Sequence, residues 1–369
     1  MARRLTVVQL LPALESGGVE RSTLEIAQAL VEADHQAIVV SAGGRLVPQL
    51  QALGAVHVRL DIGRKSLLTF RHVAALRRLF ALRRVDIVHA RSRMPAWVAR
   101  FALRGMPAPP HFVTTVHGLN SPSPYSAVMA SGERVICVSR TVRDYVLAQY
   151  PRTDPDRLRV IARGIDPADF PPAPWPDGAA RAHVAALHPQ LAGDGPLLLL
   201  PGRGTRLKGH ADALQLLAAL RAGGVDARLW LPGTREPGRE AYVSELDTLA
   251  ATLGIANAIA ITPPTAAIAQ AYAASDLVLQ LSRKPESFGR TVVEALSVGR
   301  PVLGWAHGGV GELLRELQPR GAVLPFDHAA LEAGARALLA QPPAPAITIP
   351  YTLRAMKEAT LAVYAELAR

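Results

Sequence analysis

The feature that most constrains this fold is an alternation along the chain. Short apolar runs are followed, repeatedly, by stretches whose apolar residues recur at helical spacing. Residues 5–11 read as a first strand, and residues 19–32 as a helix with Leu24, Ala27 and Leu30 on one face. Further strand-like runs lie at 37–40, 56–60, 85–89, 112–116, 134–138 and 158–161. The pattern then stops at Pro171-Pro172-Ala173-Pro174-Trp175-Pro176, where proline density excludes helix and internal strand. It restarts with runs at 196–200, 228–231, 258–262, 276–281 and 301–304. Strands that alternate with helices specify parallel sheets covered by helices, the doubly wound α/β class, and the restart specifies two such units. The length of 369 residues suits two domains of ordinary size.

Composition narrows the setting. Half the residues are hydrophobic and charge is moderate, which excludes a disordered chain. One cysteine, Cys137, excludes an internal disulfide and suggests a reducing compartment. No apolar run approaches the ~18–20 residues of a membrane span. Arg3-Arg4 ahead of the run at 5–14 imitates a signal peptide, but Gln9 interrupts it and Glu15 ends it, so a first strand and a cytoplasmic protein are expected. Of the net charge of +11, residues 1–170 carry 23 basic against 13 acidic side chains, a net +10. Either this half meets something acidic or a base composition rich in arginine codons inflates it. Residues 70–84, with Arg71, Arg77, Arg78, Arg83 and Arg84, read as an arginine-rich helix. Residues 94–104 read as a second, with Trp97 and Phe101. Such stretches suit an anionic membrane surface, and equally a solvated face.

Candidate chemistry sits at strand ends, where open α/β sheets bind ligands. The segment 282–301, SRKPESFGRTVVEALSVGRP, places Glu286 after a strand and Glu294 about two turns into an amphipathic helix. With helix from Phe288 onward, the two carboxylates stand roughly 9–12 Å apart along the axis. That is too far to share a proton, and suitable for holding the two ends of a long polar ligand. The turn Ser287-Phe288-Gly289 between them would present a helix N-terminus to phosphate. Arg203 and Lys208 leave another strand end on a glycine-rich turn, without the order of a P-loop. In the first half, Gly17-Gly18 separates the first strand from its helix, letting a ligand approach the backbone. His117-Gly118 follows the strand at 112–116; a lone histidine there is more often a structural hydrogen-bonder. The triplet Asp154-Pro155-Asp156 reads as a turn and cap and not as a metal site.

Taken together, these residues resemble the retaining glycosyltransferases of family 4. The segment 286–295 matches their E-x-F-G-x4-E-A signature, and Arg203 to Lys208 keeps their Arg-to-Lys spacing, with Gly204 where leucine is usual. The 160–166 segment matches their domain-exit strand, with Arg163 where asparagine is common, and 307–312 their glycine turn. The loop before Glu286 is one residue longer than their commonest form. The resemblance implies α/β GT-B architecture: two facing Rossmann-like domains with parallel sheets. A first domain at 1–170, a linker at 171–176, a nucleotide-sugar domain at 177–350, and a C-terminal helix at 351–369 crossing back to the first domain follow from it, with the active site in the cleft. It implies transfer of a sugar, with retention, from a nucleotide diphosphate sugar to a glycan or lipid-linked acceptor, as in lipopolysaccharide or other cell-surface polysaccharide synthesis. No cofactor and no metal are expected. The roles implied are Arg203 and Lys208 on the leaving diphosphate and Glu294 on the ribose. Glu286 with Ser287, Phe288 and Gly289 would orient the sugar, while His117 and the Gly17-Gly18 turn close from the first domain. Nucleic acid is not expected as a partner; a peripheral place at the inner membrane surface is. Two other readings stay open: a nucleotide-sugar 2-epimerase on this architecture, and a non-catalytic basic binding module.

Overall fold

The computed structural model describes residues 3–15, 17–344 and 348–369; Ser16 of the glycine turn and part of the proline-rich stretch before the last helix lie outside them. The chain divides into two compact units, Met1–Arg163 with Leu353–Arg369, and Gly164–Thr352.

Among the described residues, the first unit holds a wholly parallel sheet. Its strands are β1 (Thr6–Leu10), β2 (Gln36–Ser41), β3 (Val56–Arg59), β4 (Ile87–Ala90), β5 (His111–Val116), β6 (Arg134–Cys137) and β7 (Leu158–Val160). They lie in the order β3-β2-β1-β4-β5-β6-β7. The central strands are almost wholly buried, as sheets covered on both faces require. One face is packed by Leu24, Ala27 and Leu30 of the helix Gly18–Glu32 and by Met356, Val363 and Tyr364 of the last helix, Leu353–Leu367. The other is packed by Leu76, Phe80, Val98 and Ala102 from the helices Val73–Leu82 and Arg93–Arg104. The last helix is also pinned at its end, where Glu366 accepts from Arg134 Nε at 3.1 Å and from Arg159 Nη2 at 2.9 Å. Cys137, fully buried at the end of β6, has its thiol pushed up to about 12 by burial.

The second unit repeats the plan with β8 (Leu197–Leu199), β9 (Arg228–Pro232), β10 (Ile259–Thr262), β11 (Leu277–Gln280), β12 (Val302–Trp305) and β13 (Ala322–Val323). Their order is β10-β9-β8-β11-β12-β13. Strand order therefore reverses between β1 and β4 in one unit and between β8 and β11 in the other. Such reversal points open a crevice beyond the carboxyl ends of the strands.

Three expectations change in detail. The proline stretch expected as a linker is bonded to the second unit: Ala173 N donates to Val298 O at 3.1 Å, and buried Arg300 Nη1 donates to Ala173 O at 3.3 Å. The arginine-rich helix begins as a 3-10 turn, Leu67–His72, and continues as Val73–Leu82. Arg83 caps it and Arg84 lies beyond it at a φ of 46°. The helix carrying Glu294 starts at Arg290 and not at Phe288. Phe288 is buried with its ring 5.7 Å from that of Tyr351, and Gly289, at a φ of 121°, breaks the helical path. No helix among the described residues is long and apolar enough to cross a membrane.

Candidate active site

In the second unit the turn after β8 and the turn after β11 meet at the strand-order reversal. Lys208 ends a short 3-10 turn, Arg206–Lys208, and its Nζ lies 2.6 Å from Glu286 Oε1. Glu286 is held from three further directions. Gln280 Nε2, at the end of β11, donates to Oε2 at 3.1 Å; Ser282 Oγ donates to Oε1; and Gly309 N donates to the backbone oxygen at 2.7 Å. The Lys208 and Glu286 side chains keep 29% and 25% exposure, so both can still meet a ligand.

Two glycines make this approach feasible. At Gly209 a Cβ would stand 2.0 Å from Leu281 O, and at Gly309 one would stand 2.4 Å from Phe288 O. Only a residue without a side chain lets these turns close on the Glu286 segment. His307 adds a further tie, its Nε2 lying 2.8 Å from Ser282 O.

Glu294 projects from the helix Arg290–Ser297 and is 12% exposed. Tyr272 OH donates to its Oε2 at 2.8 Å, and Arg290 Nε stands 3.4 Å from its Oε1. Burial, and then the Glu294 charge, hold the Tyr272 phenol well above its usual 10, so it stays a proton donor. Arg203 is exposed and its guanidinium has no hydrogen-bond or ion-pair partner among the described residues. Ser287 is half-buried. Phe288 is buried, its ring packed against that of Tyr351.

In the first unit, Gly17 precedes the helix Gly18–Glu32 at a φ of 147°, its oxygen accepting from Arg21 N at 3.0 Å. At Gly18 a Cβ would meet nothing within 4 Å. His117 follows β5, and Arg163 Nη2 donates to its Nδ1. Burial, then the charges of Arg163, Arg91 and His89, keep the His117 ring well below its usual 6.5. Asp154 does act as a turn cap, Oδ1 accepting from Asp156 N at 2.9 Å.

The structure thus joins Lys208 to Glu286, two residues that the sequence offered separately. It also supplies Gln280 and Ser282 as holders of Glu286, and Tyr272 as the holder of Glu294. Gln280 carries a faint signal, a polar residue closing an apolar strand run. Tyr272 has none, because an Ala-Tyr-Ala-Ala stretch reads as ordinary helix core.

Two parallel α/β units of this topology are the architecture of the GT-B fold, and the second carries a lysine–glutamate pair at its sheet's carboxyl edge with a second glutamate on the following helix. Residues 16–169 match the model of Glycosyltransferase Family 4, and residues 188–354 that of Glycosyl transferases group 1. The chain belongs to these family 4 GT-B glycosyltransferases. It is similar to a D-inositol 3-phosphate glycosyltransferase from Catenulispora acidiphila, 31% identical over 257 residues that cover 62% of this chain and 58% of that protein. A second such protein, from Salinispora tropica, is 27% identical over 82% of this chain and 69% of its own. The relative from Xylanimonas cellulosilytica matches over 43% of its length, so the similarity spans about half of such proteins. A glycosyltransferase crystal structure from Rickettsia africae superposes with a TM-score of 0.83 at 26% identity, covering 99% of both chains. Anabaena HepE in complex with UDP-glucose has the same fold, with a TM-score of 0.73 at 20% identity, covering 98% of this chain and 95% of its own.

Proposed function

We propose that this chain transfers a glycosyl group from a nucleotide diphosphate sugar to an acceptor hydroxyl with retention at the anomeric carbon. The observation that carries the reading is the Lys208–Glu286 pair, 2.6 Å apart at the β8–β11 reversal, with Glu294 on the next helix. A cation, a carboxylate and a second carboxylate at that edge match a ligand with a diphosphate between two hydroxyl-bearing ends. The HepE complexes, described with UDP and with UDP-glucose, support a nucleotide-sugar donor on this fold.

In this reading Arg203 and Lys208 offset the charge that grows on the departing diphosphate. The N-terminus of the helix Arg290–Ser297 adds a fixed dipole of the same sense. Glu294 holds the ribose hydroxyls, while Glu286 and the amides of Ser287, Phe288 and Gly289 orient the sugar. For Gly17, Gly18 and His117 of the first unit the reading is contact with a nucleotide sugar. The departing phosphate takes the acceptor proton on the face it leaves, so no protein nucleophile is required. With this positive potential in place, the reaction is proposed to need no divalent ion.

For the acceptor we propose a glycan or lipid-linked hydroxyl at an anionic membrane surface, as in cell-surface polysaccharide or lipopolysaccharide synthesis. Leu67 and Leu68 are 85% and 75% exposed on the 3-10 turn that also carries Arg71, with Arg64 and Lys65 just before it. Apolar tips ringed by cations suit a bilayer interface.

A thermal-shift screen of nucleotide diphosphates and their sugars tests the donor, because a ligand that binds only the folded state raises Tm. Turnover of the hit is then followed with excess EDTA. No shift with any nucleotide would overturn the reading. Activity abolished by EDTA and restored by Mg²⁺ or Mn²⁺ would overturn the roles given to Arg203 and Lys208.

A further inference from the structure

The first unit buries a polar cluster that the roles above leave unexplained. Arg91, 3% exposed after β4, donates from Nε to Gln9 Oε1 at 2.8 Å and from Nη1 to Ser22 Oγ at 3.0 Å. Arg163, just after β7, donates from Nη1 to the same Ser22 Oγ and from Nη2 to His117 Nδ1. Arg163 is thus braced by Ser22, a residue that Arg91 also holds, and presents one N–H to the imidazole.

That contact decides where the proton of His117 sits. A guanidinium has donors and no acceptor. His117 Nδ1 must therefore offer its lone pair, and the single proton of the neutral ring is on Nε2. Protonating Nδ1 would set N–H against N–H. Nε2 is itself buried and has no hydrogen-bond partner among the described residues. A buried donor left unpaired is costly, so its partner is to be sought in a ligand.

We propose that Arg163 is a positioning residue that fixes His117 as a neutral hydrogen-bond donor, its Nε2–H addressed to an oxygen of the bound sugar nucleotide. This rests on the placing of His117 against the donor. It assigns His117 to binding and excludes it as a general base, since the ring has no free lone pair to offer the substrate. The charged and titratable groups around the ring are Arg163, Arg91 and His89, with Tyr364 of the last helix 2.6 Å from His89 Nδ1 and Glu25 acting on Arg91. The two guanidiniums and burial act in one direction, against a cationic ring.

The test is two-bond ¹⁵N–¹H NMR on the ligand-free full chain with ¹⁵N-labelled histidine, the His117 signal being assigned among eleven by its loss in His117→Gln. The expected spectrum shows Nε2 protonated and Nδ1 bare, with a midpoint well below the ordinary histidine value of 6.5. Arg163→Ala should raise the midpoint and mix the tautomers; Arg163→Lys, which still donates, should restore both in part. A ring protonated on Nδ1 at pH 7 would overturn the proposal, as would an Arg163→Ala spectrum unchanged in tautomer and midpoint. If Arg163→Ala does not fold, the wild-type tautomer and the Arg163→Lys midpoint decide. UDP-glucose turnover is measured in parallel. Its absence alone would count against the transfer reading and leave the tautomer result standing, so the two failures are distinguishable.

Discussion

Lys208 Nζ lies 2.6 Å from Glu286 Oε1, so the cation assigned to the diphosphate and the carboxylate assigned to the sugar are ion-paired with each other. In the proposed reading the donor's phosphate and hydroxyl compete with this pair for the same two charges. The two residues lie 78 positions apart and meet only because β8 and β11 are neighbours.

This pairing yields opposite expectations for the two variants. Glu286→Ala releases Lys208, so affinity for the free nucleotide diphosphate should hold or rise while turnover of the donor falls. Lys208→Ala should weaken that nucleotide and cost about 2–4 kcal/mol of transition-state stabilisation, the scale of one lost electrostatic donor. Calorimetric titration with the nucleotide diphosphate found by the thermal-shift screen and single-turnover kinetics separate the two. Equal losses of nucleotide affinity in both variants would sink the assignment.

Glu294 is expected to behave differently from Glu286. As the ribose holder, Glu294→Ala should weaken free nucleotide and donor alike. Tyr272→Phe removes the 2.8 Å bond that aims its carboxylate and should weaken both by a smaller factor, leaving the ratio of kcat values near one. A Tyr272→Phe protein with full affinity for the free nucleotide would show that this bond serves the core alone.

The membrane reading is sharpened by where the arginines go. Arg77 Nε donates to Ala102 O at 3.1 Å, so it is tied to the neighbouring helix and is poorly placed for lipid phosphate. Sedimentation with vesicles containing phosphatidylserine should therefore be reduced by Leu67→Ser with Leu68→Ser, and by neutralising Arg71 and Arg78. Binding should fall as salt rises from about 0.05 to 0.5 M, as screening shortens the reach of surface charge. No vesicle binding at low salt would make a soluble acceptor the better reading.

The last helix should come under acid control. Glu366 is held from its ordinary 4.5 down to about 2, first by its hydrogen bond to Arg134 and then by Arg159. A folded value below the unfolded one means the group stabilises the fold above about pH 4.5. That contribution is lost as pH falls towards 2. Glu366 is 38% exposed, so screening limits the effect to about 1 kcal/mol or less. Glu366→Gln should lower Tm slightly at pH 7, with the gap to wild type closing between pH 4.5 and 2. A gap that stays constant over that range would show that the loss is one of packing.

The sequence by itself determined the class of fold. Period-two and period-3.6 patterns are local properties of apolar residues, so the alternation from residue 5 onward specified strands and helices, and the proline stretch marked the restart. The strand at 277–280 and the helix carrying Glu294 were legible in the same way, apart from the start of that helix. Its start moved from Phe288 to Arg290 because burial of the Phe288 ring under Tyr351 outweighs local helical spacing. What only tertiary structure decided is which strand ends become neighbours. Strand order is set by how crossovers bury both faces of a sheet, and no short window of sequence carries that information. It is this order that sets Lys208 on Glu286, brings Tyr272 under Glu294, and aims Arg163 at His117, residues 46 positions apart. Arginine gives no local sign of its partner, since its long side chain can reach solvent, backbone or a buried ring alike. Its role is fixed only when the sheet places an acceptor within its reach.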